Sequence, residues 1–273
     1  MALDADDFTY VRKLLHELSG VTLDGNKKYL VETRLTPVAY QEGCASLQDF
    51  ITRLRLHAPG ALHMKVVEAL ATKETQFFRD VHPFVALKTS ILPELIEKRS
   101  AERRLNLWCA AIASGQEPYS VAMLLLEHFP HLANWNVHFV ASDISASALE
   151  QAQQGYYSQL EVNRGLSTPL LLKYFRRQGT RWQISEQVRR RVQFCKINLI
   201  HAWPSLPPMD VILMRNVLIY FNVETKKAIL GKVCQLLRPD GYLFLGSAET
   251  TLNLHASFKK VQFDKAVCYQ ARL

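Results

Sequence analysis

LNLWCAAIASGQEPYS, residues 105–120, is the stretch on which the fold class turns. An apolar run breaks into small residues that end at Ser114-Gly115, and a helix is predicted to open at Glu117-Pro118. Glycine lets backbone approach a ligand closely, and proline suits a first helical turn, where its missing N–H costs nothing. Without a complete GxGxxG fingerprint the junction has two readings: a cofactor-binding strand, turn and helix start, or only a tight strand-to-helix connection.

The order of elements downstream favours the first. Residues 137–140 (VHFV) read as a second buried strand that ends in Ala141-Ser142-Asp143, where an acidic residue can accept both ribose hydroxyls. The usual dinucleotide-binding pattern puts this acid about 20 residues past the glycines. Asp143 lies 28 residues after Gly115, with a predicted helix at 121–129 to fill the interval. A third strand, 210–214 (DVILM), leads into Arg215-Asn216. A fourth, 242–245 (YLFL), follows the turn Pro239-Asp240-Gly241, and a last one, 266–270, closes the chain. Alternating helices and apolar strands specify an α/β fold, Rossmann-like, whose mostly parallel sheet takes ligands at the strands' carboxyl ends.

At 273 residues, 48% of them hydrophobic, the chain can bury one large domain and a smaller companion. The start, MALDADDFTY, is acidic and lacks the pattern of a signal peptide. No apolar run approaches the roughly 18 residues that span a bilayer, so a cytoplasmic protein without membrane insertion is expected. The five cysteines, Cys44, Cys109, Cys195, Cys234 and Cys268, are scattered, without a CxxC, and predict reduced and mostly buried thiols. Pro130 interrupts the one close histidine pair, His128 and His131, and no metal is predicted.

Residues 1–72 read as a small all-helical N-terminal domain, with Phe8, Val11, Leu14, Leu15 and Leu18 at helical steps and a helix at 46–56 capped by serine. A linker helix region, 73–104, carries the chain into the main domain, 105–273. Residues 151–197 hold nine Lys or Arg against Glu161 and Glu186, nearly all of the chain's net charge of +8. This segment interrupts the alternation and has its own turn signals, Gly155 and Gly179-Thr180. It reads as an inserted small antiparallel β subdomain at about 155–195. Such a charge run is either a solvated face or, beside a cofactor cleft, a surface for an acidic partner.

Several unrelated motifs, in order, resemble the CheR family, S-adenosylmethionine-dependent methyltransferases that esterify glutamate side chains of bacterial chemoreceptors. The family's N-x-T-x-F-F-R falls on Lys73-Glu74-Thr75-Gln76-Phe77-Phe78-Arg79, with Lys73 in place of asparagine. Its GEEPYS loop falls on Gly115-Gln116-Glu117-Pro118-Tyr119-Ser120, with Gln116 in place of the first glutamate, and its RNVLIYF segment on 215–221. The resemblance implies a class I methyltransferase sheet and a cofactor, S-adenosylmethionine, that leaves as S-adenosylhomocysteine. It implies cofactor contacts from Lys73, Thr75, Arg79, Gly115, Glu117, Asp143, Asn198, Leu199, Arg215 and Asn216. Arg79 and Tyr220 are the implied catalytic residues. The implied partner is the cytoplasmic helical bundle of a chemoreceptor, met by the basic insert and the helical domain of a monomeric enzyme recruited to receptor clusters. Some members also grip a receptor tether through glycine-rich turns in the insert. Here residues 175–181 (FRRQGTR) form a short turn with one glycine, which implies a tether-independent member.

The implied chemistry suits these residues. A glutamate nucleophile with a pKa of about 4.3 is already ionised at neutral pH, so no general base is required. Alignment can supply roughly 7 kcal/mol or more of the barrier reduction. Arg79 has a planar fork for a carboxylate, either the substrate's or the cofactor's, and an interdomain salt bridge is the other reading. Tyr220 either hydrogen-bonds the substrate carboxylate or packs as core. Phe77 and Phe78 read as packing between the helical domain and the sheet, and Trp108 as core. A nucleic-acid methyltransferase would suit the basic insert. Yet Arg215-Asn216-Val217-Leu218 stands where amine methyltransferases resemble one another in an Asn/Asp-Pro-Pro-aromatic tetrad, so no nucleic-acid partner is expected. A non-catalytic S-adenosylmethionine-binding regulator is the third reading, favoured only by Lys73 and Gln116.

Overall fold

A computed structural model of the chain describes residues 3–272. Helices and strands form two compact units. The first comprises the chain up to Thr72 together with Tyr220–Thr225. Its helices are α1 (Ala5–Ser19), α2 (Lys28–Gln41), α3 (Leu47–Leu56) and α4 (Ala61–Leu70). The predicted stripe of α1 is buried at Phe8, Val11, Leu14 and Leu15. Asp4 caps its start by accepting from the Asp7 N–H, and Gly20, at φ 74°, ends it in the left-handed conformation that glycine adopts freely. Ser46 caps α3 as its sequence suggests, accepting from Asp49 N at 3.1 Å. The guanidinium of Arg34 donates to the carbonyls of Leu70 and Ala71, satisfying acceptors that α4 leaves open. Residues 220–225 join this unit through an antiparallel bridge of Val21 with Phe221 and a bond from Thr22 N to the Tyr220 carbonyl.

The second unit, Lys73–Ile219 with residues 226 onward, opens with α5 (His82–Ala86), a π turn (Leu87–Ile91) and α6 (Leu92–Lys98). Residues 82–98 are thus helical but not uniform. Pro93 cannot donate, and the ladder adapts just before it by a bond from Leu92 N to the Leu87 carbonyl, five residues back. Then follow β1 (Arg104–Ala110), α7 (Gln116–His128), β2 (Asn136–Asp143) and α8 (Ala146–Gln154). The inserted part holds β3 (Tyr156–Ser158), α9 (Gln159–Asn163), α10 (Thr168–Tyr174), β4 (Phe175–Gln178), β5 (Arg181–Ile184) and α11 (Glu186–Arg189). The chain ends with β6 (Gln193–Lys196), β7 (Met209–Met214), α12 (Val223–Leu236), β8 (Leu237–Leu245), β9 (Phe258–Phe263) and β10 (Ala266–Ala271).

Among the described residues the main sheet has seven strands in the order β6-β2-β1-β7-β8-β10-β9. Every pairing from β6 to β8 is parallel, and β10 runs antiparallel to both β8 and β9. Central β1 and β7 are buried along almost their whole length, as strands covered on both faces must be. The topology is that of the expected Rossmann-like class I methyltransferase sheet. Two of its strands were not predicted. β6 lies inside the segment read as insert, yet it is the sheet's edge, paired with β2 from Val140↔Gln193 to Asp143↔Lys196. β9, FKKVQF, is the other edge, and its exposed lysines masked it.

The insert is a three-stranded antiparallel sheet, β3-β5-β4, one strand more than the predicted hairpin. Gly179 and Thr180 alone connect β4 to β5, and Gly179 has φ 60°, the left-handed value that such short turns demand. Phe77 packs here: its ring meets Tyr157 and Phe175 edge-on at 5.1 and 5.6 Å. This differs from the expected seat between helical domain and sheet. A side chain on Gly165 would reach to 1.9 Å from the Phe77 carbonyl, so this close approach requires glycine. Among the described residues all five cysteines are free, with Cys109 and Cys268 buried and the other three half-buried. No helix there is long and apolar enough to cross a membrane.

At the amino ends of the strands Asp210, fully buried, accepts from Arg99 Nε at 2.8 Å and from Asn106 N at 2.7 Å. Arg99 reaches on to Asp240 at 2.6 Å. Without Asp210 the buried Arg99 keeps only the half-buried Asp240, and the Asn106 N–H loses its acceptor. Asp210→Ala should therefore lower the unfolding free energy of the second unit by about 3–5 kcal/mol in a urea titration.

Candidate functional site at the strand carboxyl ends

After β1 the backbone takes positive φ at every other residue: Ala111 at 56°, Ala113 at 50° and Gly115 at 92°. Such strain is held only where the surroundings fix it. Here Tyr157 donates its hydroxyl to the Ser114 carbonyl at 2.9 Å, and Ala113 N donates to Asp143 Oδ2 at 2.8 Å. A Cβ on Gly115 would lie 2.7 Å from that of Ala152, so α8 packs where only glycine leaves room.

Asp143, at the end of β2, is buried, and its carboxylate accepts backbone N–H groups, from Ala113 on Oδ2 and from Ser145 on Oδ1, with that of Ile144 also acting on it. A carboxylate has about four lone-pair positions, so acceptor capacity is left for a hydroxyl donor. Burial raises its pKa, while the amides of Ser145 and Ala113 and the charge of Lys73 pull it back. The Lys73 ammonium donates to Ser147 Oγ at 3.1 Å. Thr75 is half-buried in the same segment.

Glu117, in the first turn of α7, receives Arg215 Nη1 at 2.6 Å on Oε2. The Arg215 side chain is 1% exposed, and its Nη2 donates to Asp80 Oδ2 at 2.6 Å and to the Arg79 carbonyl at 2.9 Å. Arg215 is thus committed to protein acceptors, and it ties the end of β7 to α7 and to the FFR segment. Burial raises the Glu117 pKa, against the opposing pull of Arg215. The Arg79 guanidinium donates to the Glu74 carbonyl at 3.3 Å and has no carboxylate partner among the described residues. That leaves its fork available for a bound anion, in place of the salt bridge considered from sequence. Asp80 carried no signal in the sequence, because its partner lies 135 residues away.

Asn198 accepts from Ile200 N at 3.2 Å, within its own loop, and Leu199 is buried. The loop is held from α12 by Lys232, whose ammonium donates to the carbonyls of Leu199 and, at 2.8 Å, of His201. Lys232 was not anticipated from the sequence; a lysine within an amphipathic helix looks like surface. Trp203 donates to the Leu199 carbonyl at 3.2 Å and lies edge-on to Trp108 at 4.9 Å. Trp108 is fully buried, with its indole N–H on Ser142 Oγ at 2.9 Å. Asn216, past the end of β7, has φ 58° and gives its N–H to Glu249. Gly115, Glu117, Asp143, Asn198, Leu199, Arg215, Asn216 and the 73–79 segment therefore all belong to the second unit. Tyr220 does not; it is half-buried and folds with the first. Among the described residues no cluster of three His, Cys, Asp or Glu could hold a metal.

Residues 73–267 match the family described as CheR methyltransferase, SAM binding domain, and residues 6–71 match CheR methyltransferase, all-alpha domain. The chain is 41% identical over 270 residues to chemotaxis protein methyltransferase 1 of Pseudomonas aeruginosa, covering 97% of this chain and 98% of that one. It is 38% identical to chemotaxis protein methyltransferase Cher2 of Pseudomonas putida, over the same shares of the two chains. With the chemotaxis protein methyltransferase of Vibrio parahaemolyticus it shares 36% identity, over 95% of this chain and 94% of that one.

The Arg215 network makes a double-mutant test available. Arg215→Ala strands Glu117 and Asp80 and should cost about 3–5 kcal/mol. Adding Glu117→Gln, which removes one of the stranded charges, should make the double variant more stable than the sum of the single losses, measured by denaturant titration.

Proposed function

This chain belongs to the CheR methyltransferase family, and from that premise we propose that it is a protein-glutamate O-methyltransferase. It transfers the methyl group of S-adenosylmethionine to glutamate side chains of chemotaxis receptors. The observation that carries this reading is the pair of buried carboxylates, Asp143 at the end of β2 and Glu117 in the first turn of α7, beside a loop that needs Gly115. Asp143 keeps acceptor capacity for a ribose hydroxyl. Glu117 Oε1 has no partner among the described residues and suits the ammonium of the cofactor's methionine end. Asn198 and Leu199, in the loop braced by Lys232, would hold the adenine. The residues thus fit S-adenosylmethionine, which when bound supplies an electrophilic methyl on a positively charged sulfur.

The substrate carboxylate oxygen forms the new bond to the methyl carbon as the sulfur–carbon bond breaks and its electron pair stays on sulfur. No proton moves, and no base is called for. The chain's part is alignment and exclusion of water. Arg79, with its uncommitted fork, orients a carboxylate, and the family motif assigns Tyr220 to the substrate. Arg176, Arg177 and Arg181, exposed on β4 and β5 without carboxylate partners among the described residues, suit an acidic face of the receptor's cytoplasmic helical bundle. The enzyme then works in the cytoplasm at receptor clusters.

The decisive experiment is incubation with methyl-labelled cofactor and receptor-bearing membranes, followed by alkali. Esters release volatile labelled methanol, whereas methylated amines retain the label. Arg79→Ala should abolish the release without changing the melting temperature, and unchanged turnover would remove its assignment. Asp143→Ala should chiefly weaken S-adenosylhomocysteine binding, seen by calorimetry. Because burial raises both Asp143 and Glu117 above their ordinary values of 3.8 and 4.5, affinity should be full at neutral pH. It should fall on acidification at a pH above those ordinary values, as each carboxylate takes up a proton. Calorimetry across that range checks the sign.

A further inference from the structure

We propose that Glu249 is a positioning residue for methyl transfer, holding the turn from Asn216 to Ile219 in its working conformation; this rests on the reaction proposed above. Glu249 stands in the loop after β8, and its carboxylate is spent entirely on backbone. Oε2 accepts from Gly246 N at 2.6 Å and from Asn216 N at 2.8 Å, and Oε1 accepts from Ile219 N at 3.1 Å. Bonds of this kind, from amides to an ionised acceptor, are the strong ones. The loop itself is anchored to β10, where the Tyr269 hydroxyl lies 3.4 Å from Thr250 Oγ1.

The conformation it holds is not one the chain would keep alone. Asn216 sits at φ 58°, a left-handed value that a residue with a side chain maintains only where its surroundings impose it. The approach is close as well. A Cβ on Gly246 would fall 2.8 Å from Glu249 Oε2 and 2.6 Å from Asn216 Nδ2, so glycine at 246 is what lets the carboxylate in.

The turn lies between the two groups that the reaction uses. Arg215, which orients Glu117, precedes Asn216, and Tyr220 follows Ile219 directly. Of the residues implied to meet the cofactor, only Asn216 is bonded to Glu249, and through its backbone N–H; Gly115, Glu117 and Asp143 receive no bond from it. Its loss should therefore disturb turnover much more than cofactor binding.

The test uses the full chain as wild type, Glu249→Gln and Glu249→Ala. In Gln the amide oxygen can replace Oε2 and serve Gly246 and Asn216, while its NH₂ faces the Ile219 N–H and loses that bond. Hydrogen exchange should show the Asn216, Gly246 and Ile219 amides protected in wild type, only the first two in Gln, and none in Ala. At saturating S-adenosylmethionine, alkali-released methanol should fall about a hundredfold for Ala, the scale of an ångström-sized misplacement. Gln should stay within about tenfold of wild type, the loss of one such bond. S-adenosylhomocysteine affinity should change by less than about tenfold in both. Three results would overturn the proposal: Ala turning over like wild type, Gln failing as badly as Ala with its two amides still protected, or cofactor affinity lost in step with turnover. A wild type that transfers no methyl would overturn the proposed reaction, and this inference with it.

Discussion

The guanidinium of Arg215 is a buried cation, and the carboxyl-end surface of the sheet is organised by the need to neutralise it. A charge removed from water must be paired and hydrogen-bonded, or the interior will not hold it. Three acceptors do so: Glu117 from α7, Asp80, and the Arg79 carbonyl. They come from two stretches, 79–80 and 117, both far from Arg215 in sequence, so one side chain sets the distance between β7, the start of α7 and the FFR segment. Glu117 and Arg79, the two groups expected to meet the methionine end of the cofactor and a carboxylate, are consequently placed by a residue that need touch neither ligand.

The sheet separates stability from chemistry along its strands. At the amino ends the charges close on one another: Arg99 with Asp210 and Asp240, and Arg238 with Asp210. At the carboxyl ends the carboxylates are only partly satisfied, the backbone is strained at Ala111, Ala113 and Asn216, and glycines admit close approaches. Unspent acceptors and strained backbone belong where something is to be bound.

Much of this was legible in the sequence. Strands buried on both faces, β1, β2, β7 and β8, announce themselves as apolar runs, and the glycine loop and Asp143 follow from their order. The edge strands β6 and β9 did not, because a strand with one wet face and charged residues looks like loop. At the site, residue types near a strand end could be recognised, and their partners could not. Asp80 meets Arg215, 135 positions away, Lys232 reaches the His201 carbonyl, 31 away, and Glu249 the Asn216 amide, 33 away, and such pairings come into being only with the tertiary fold. Arg215 shows both sides: its motif marked it as important, while only the coordinates reveal that its fork serves other side chains.

The bridge of Val21 with Phe221, and the bond from Thr22 to Tyr220, mean that the first unit is not a contiguous stretch of gene. During synthesis its four helices leave the ribosome long before the segment 220–225 that completes them. They must wait, with the edge at Val21 open, until residues 73–219 have been made. A fragment ending at Thr72 is accordingly an unfinished body, and grafting it onto another enzyme would transplant the helices without the clasp that closes them.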